Sequence, residues 1–126
     1  MSTTGTHTDT HSRTTRLDVH ELARQLVSHL GPTLVATLAG VSDRKLPHKW
    51  AKADGPEPRP DSYSKLLAAH RAWSMLSVAE SDSVARAWFI GANPRLGERS
   101  PAMALREGDE REVLAAAKAF VEGTAD

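Results

Sequence analysis

Cysteine is absent from all 126 residues, which excludes disulfides, thiolate zinc sites and cysteine nucleophiles. That absence fits a reducing interior, so the cytoplasm is the expected compartment. An excess of either charge is also missing. Sixteen Lys and Arg stand against 16 Asp and Glu, leaving no global polybasic signal for nucleic acid or membrane. Along the chain the balance shifts weakly, from 10 basic against 8 acidic side chains over residues 1–80 to 6 against 8 over residues 81–126. No apolar run approaches the roughly 20 residues needed to cross a bilayer, and the first residues hold no hydrophobic signal core. Neither a membrane span nor the usual secretion signal is therefore expected. Strand patterns are missing too: no stretch alternates polar with β-branched apolar residues, so the expected fold class is all-α. A chain of this length is expected to form one compact domain, or two small lobes sharing a core.

What is present is a series of helix signals. Residues 1–16 are Thr-rich with no large apolar residue after Met1, too little to repay the entropy of ordering, and are expected to form a disordered tail. His7 and His11 within it have metal-clamp spacing, but Thr and Gly form helices poorly and no third ligand is near, so no metal is expected. Asp18 with Glu21 forms a capping box, and Leu17 can staple onto Leu22, which predicts a helix from Val19 to Leu30 buried through Leu22, Leu26, Val27 and Leu30. Gly31 ends it and Pro32 opens the next, carrying Leu34, Val35 and Leu38 to a break at Gly40. Ser42 is the expected cap of a third helix over Asp43 to Ala53. The segment from Asp54 to Asp61 holds three prolines and a glycine and reads as a hinge. Asp61 or Ser62 then caps a long helix from Tyr63 to Glu80, followed by a helix from Asp82 to Ile90. Ser100 with Pro101 opens a short helix that closes at Gly108, and Asp109 with Glu112 forms a second capping box for the last helix.

Signatures of catalysis are not found. His20-Glu21-Leu22-Ala23-Arg24 begins like a zinc-protease helix, but Arg24 stands where the second ligand belongs. There is no nucleophile elbow, no phosphate-binding loop and no dinucleotide fingerprint. The chain is expected not to be an enzyme, with no cofactor and no catalytic residue.

Two constellations carry a functional reading instead. The first is the turn Leu38-Ala39-Gly40-Val41-Ser42 between the second and third helices, which looks like a helix-turn-helix: Ala36 lets the helices cross closely and Gly40 permits the positive φ that redirects the chain. Val41, Leu46 and Trp50 would anchor the third helix, leaving Ser42, Arg44, Lys45, His48, Lys49 and Lys52 facing outward. With four cations against one acid over residues 41–53, phosphate contacts to DNA are expected from this helix. Pro47 requires it to start late or kink, because proline removes a donor and clashes with the preceding turn.

The second is the block Ala87-Trp88-Phe89-Ile90-Gly91-Ala92-Asn93-Pro94-Arg95-Leu96, followed by Ser100-Pro101, Ala104-Leu105, Gly108, and Val113 with Ala117 and Phe120. Trp88 is a large anchor, Asn93 before Pro94 favours a turn, and Leu96 drops back as an apolar plug. Over residues 18–123 the chain resembles antitoxins of the Xre/MbcA/ParS type, in which an Xre-like helix-turn-helix precedes a toxin-binding domain with a W-x-x-x-x-N-P-x-L core. The resemblance implies a helix-turn-helix unit over residues 17–60 and, over residues 61–126, a long helix with a toxin-binding domain. Its motif falls on Trp88, Asn93, Pro94, Leu96, Pro101, Leu105, Gly108, Val113, Ala117 and Phe120. It implies a partner, a RES-domain toxin that consumes NAD⁺. It also implies operator DNA where the helix-turn-helix is competent, and self-association into a homodimer or a higher assembly with the toxin. The long helix offers Leu67, Trp73, Met75 and Leu76 as a dimer surface; a helix buried all round is the other reading. A free-standing DNA-binding regulator is the alternative function.

Overall fold

The computed structural model describes residues 18–123. Seven α-helices and one 3₁₀ turn make up the described residues, which contain no strand, so the fold is all-α. The expectations for Leu17, for the tail over residues 1–16 and for the His7–His11 pair lie outside them.

Helix α1 (Val19–Leu30) starts where Asp18 accepts hydrogen bonds from the backbone N–H groups of His20 and Glu21. Only this half of the expected box forms, because the Glu21 carboxylate turns to Arg24 and Gln25. Leu22, Ala23, Leu26 and Leu30 face the core. Pro32 is the first residue of α2 (Pro32–Ala39), and Gly40, at φ 83°, closes it in the left-handed region where a side chain would be strained. Helix α3 is shorter than expected, Leu46–Ala51. Pro47 sits at its second position, the one turn where a missing N–H costs nothing. Ser42 therefore does not cap it; Asp43 folds the chain instead, its side chain accepting from Lys45 N–H at 2.9 Å and its carbonyl from Leu46 N–H at 3.1 Å.

Helix α4 (Pro60–Ala79) begins earlier than expected, since Pro60 takes the first position after Arg59. Neither Asp61 nor Ser62 caps it: the buried Ser62 Oγ donates to the Ala39 carbonyl at 2.8 Å, tying α4 to the end of α2. Helix α5 (Asp82–Ile90) is capped by Ser81. Asn93 caps the 3₁₀ turn Pro94–Leu96. Ser100 caps α6 (Pro101–Arg106) through Met103 N–H. Helix α7 (Glu110–Glu122) lacks the expected side-chain cap, because the Asp109 carboxylate is taken by Arg99.

A continuous core joins all of these. Leu22, Leu38 and Trp50 from the first three helices share it with Leu66, Leu76, Phe89, Leu105 and Val113 from the last four. Helix α1 packs on α3, α4 and α5, α2 packs on α4 and α6, and α4 lies along α7. Ser64 bonds Glu110 at one end of that last pair, and Met75 and Val78 line a groove with Val121 at the other, so α4 and α7 run side by side in the same direction.

Candidate interaction faces

The basic face is built on a small wedge. Pro47 and Trp50 are buried beneath α3, and Val41 and Leu46 pack half-buried against the core. With those four turned inward, Ser42, Arg44, Lys45, His48, Lys49 and Lys52 are all exposed. His20 on α1 donates from Nδ1 to the Trp50 carbonyl at 2.8 Å, satisfying an acceptor that a helix C-terminus leaves open. Gly55 closes over the same end: a Cβ there would lie 2.0 Å from the Lys49 carbonyl oxygen, so only glycine fits. Asp43, itself exposed, accepts from Lys45 N–H within the turn.

The C-terminal motif is mostly frame. Trp88 packs edge-on against Phe89 with ring centroids 5.1 Å apart and lies 6.4 Å from the Phe120 ring. Leu96, Pro101, Leu105, Val113 and Ala117 are buried, and Asn93 is half-buried in its capping role. Pro94 and Gly108 are exposed, and Phe120 is 43% exposed. A salt-bridge lock fixes this frame: Arg99 Nη1 reaches both Glu107 and Asp109 at 2.6 Å, while Arg99 Nε donates to the Leu96 carbonyl and Asn93 N–H to the Arg99 carbonyl. The carboxylates of Asp109 first and Glu107 second hold the Arg99 guanidinium charged even more firmly than usual.

Phe120 apart, the exposed large apolar side chains lie around the motif rather than in it. Ile90 is 64% exposed, Val78 89%, and Met103, Val84 and Val121 between 36% and 40%. Together with Phe120 and Leu67, these are all the exposed large apolar residues among the described ones, and every one lies beyond Leu66. Sequence periodicity alone does not separate them from core positions. Trp88 and Phe89 at the end of α5 turn into the core, and Ile90, about 100° further round the helix, turns out of it. Ile90 borders a cleft of about 470 Å³ with Leu30, Leu34, Arg86 and Ala102. On the long helix Leu76 is fully buried and so unavailable as a dimer surface, while Leu67 is open and Trp73 and Met75 are partly covered.

A further cluster joins residues far apart in the chain. His29 Nδ1 donates to Asp82 Oδ2 at 2.6 Å, and its ring stacks on Trp73 at 4.3 Å. Trp73 Nε1 donates to the other Asp82 oxygen at 3.4 Å. His70 lies against Trp73 at 5.4 Å and donates from Nε2 to Gln25 Oε1. The His29 hydrogen bond, and more weakly that of Trp73, hold the Asp82 carboxyl below its ordinary range. Burial first, and the neighbouring His29 second, push the His70 imidazole down. Among the described residues no group of three or more His, Asp or Glu could hold a metal ion, and none of their helices is long and apolar enough to cross a membrane.

No protein-family model, no curated protein and no solved structure matches this chain.

Proposed function

We propose that the chain is an antitoxin: it binds a RES-domain, NAD⁺-consuming toxin and holds it inactive by covering the approach to its catalytic pocket. The observation that carries this reading is the confinement of every exposed large apolar side chain among the described residues to the part beyond Leu66. Apolar grooves open to water, such as the one Val78 and Val121 line with Met75 and the cleft that Ile90 borders, are the kind of surface that another molecule covers. The salt-bridged Arg99 corner gives that surface a fixed shape, which lowers the ordering cost of association. The chain does no chemistry in this role; an interface of about 800 Å² on each partner is the standard size for such a lid. The exposed cations on and flanking α3 support a second activity, repression of its own operon through operator DNA, on a cytoplasmic homodimer or a higher assembly with the toxin. A free-standing regulator would use that face alone.

Deleting everything after Glu80 cannot test this, because Phe89, Leu105 and Val113 belong to the shared core. Point changes in the exposed positions can. Co-expressed with a RES-domain protein encoded beside it, the wild-type chain restores growth. Ile90→Asp and Phe120→Asp lose that protection while remaining folded, whereas Lys45→Glu with Lys49→Glu keeps it. Protection that survives the two Asp substitutions and fails in the Lys variant would favour the regulator instead.

A further inference from the structure

The turn that aims α3 is held from across the molecule. Gly40 and Val41 N–H groups both bond back to the Ala36 carbonyl and Gly40 N–H also reaches the Thr37 carbonyl at 3.1 Å, while the carbonyls of Thr37, Ala39 and Val41 all take bonds from the C-terminal helices. Arg106, the last residue of α6, donates from Nη1 to the Thr37 carbonyl at 2.9 Å and to the Val41 carbonyl at 3.4 Å. Ser62 of α4 donates to the Ala39 carbonyl. Lys65 of α4 completes the triangle, its Nζ donating to the Arg106 carbonyl at 2.9 Å and lying 3.1 Å from where a Gly40 Cβ would be. All three carbonyls flanking the turn thus accept from side chains beyond residue 60, at a helix end where the chain's own N–H groups reach only Ala36 and Thr37.

We infer that Arg106, seconded by Ser62, is the positioning residue of the basic face: α6 sets the pose of α3 through the α2–α3 turn. Six residues of α3 with no side-chain cap supply little orientation of their own. A guanidinium that bridges Thr37 and Val41 fixes both sides of the Gly40 bend at once, through charge-assisted hydrogen bonds in a partly buried place. Whatever displaces α6 therefore moves α3 as well. The consequence for DNA rests on the reading of α3 as a phosphate-contacting face; the positioning role does not.

Two measurements on the full chain separate these. In amide hydrogen exchange, Arg106→Ala speeds exchange over residues 40–46 by about tenfold, the effect of losing one charge-assisted hydrogen bond on a local opening. Ser62→Ala, which changes no charge, acts on the same amides, and amides of α5 stay as in the wild type. Arg99→Ala loosens residues 93–99 and leaves residues 40–46 unchanged. Unaltered exchange over residues 40–46 in Arg106→Ala would overturn the inference. In binding to a mixed-sequence DNA duplex at low salt, Ser62→Ala weakens affinity several-fold although it touches no phosphate. Faster exchange in Ser62→Ala with undiminished duplex affinity would overturn the claim that the turn aims α3. If the wild type binds no duplex, the DNA reading falls and exchange alone decides the positioning role, in the way already stated.

Discussion

At the scale of single residues, the side chains that define the C-terminal motif and the large apolar ones exposed to solvent overlap at Phe120 alone. Leu96, Leu105 and Val113 are buried, so shortening them tests stability and not recognition. Leu105→Ala is expected to cost about 2–5 kcal/mol, as large-to-small core changes do, measured by chemical denaturation. Ile90→Asp is expected to stay within about 0.5 kcal/mol of the wild type in the same measurement, because most of that side chain already lies in water. Gly55→Ala drives a methyl into the Lys49 carbonyl and should destabilise by about 1–3 kcal/mol. Residue-level reading of the sequence named the buried anchors Trp50, Trp88 and Leu96 from size and spacing. It could not name the partners of Arg99, Arg106 or His29. Arg106 bonds a carbonyl 69 residues away and His29 a carboxylate 53 residues away, and no local pattern encodes either contact.

At the scale of elements, boundaries were legible where one signal acted alone and misread where two competed. The Asp18 cap and the Gly31 stop bound α1 as expected. Ser42 lost α3 to Pro47, which needs a first-turn place, and Ser62 lost α4 to Pro60 for the same reason. Asp109 opens α7 by position only, since Arg99 competes for its carboxylate. The elements α1, α4 and α5 meet at Trp73, and their joint stability depends on pH. His70 titrates lower in the folded chain than in the unfolded one, so its contribution is complete above the ordinary histidine range and declines as pH falls toward the lowered value. Asp82 is likewise lowered, and its contribution is lost only in more acid solution, as pH falls through its folded value. Thermal melts from pH 7.5 down to about 5, a span that covers the ordinary histidine value near 6.5, should therefore show a smaller fall in Tm for His70→Asn than for the wild type. Equal falls would place the acid sensitivity elsewhere.

At the scale of the whole molecule, one core carries two unlike sets of exposed side chains: cations on and flanking α3, and large apolar ones on the helices beyond Leu66. The all-α class was legible because strand alternation is missing throughout, and a single shared core was expected from length, but which helices meet across the Pro-rich segment, α2 with α6 and α1 with α5, was not legible from local pattern. If the cationic face engages DNA through Arg44, Lys45, Lys49 and Lys52, log affinity should fall with log salt at a slope of about −3.6, or −0.9 for each of four phosphates. A flat response in a salt titration would remove the phosphate contacts from the account. The apolar face is the centre of the account, and the most direct measurement on it is the rate of NAD⁺ consumption by a purified RES-domain protein encoded beside this chain, titrated with the chain. Consumption should stop as the chain approaches a fixed stoichiometric ratio and should persist when Ile90→Asp and Phe120→Asp are combined; a rate unaffected by saturating wild-type chain would contradict it.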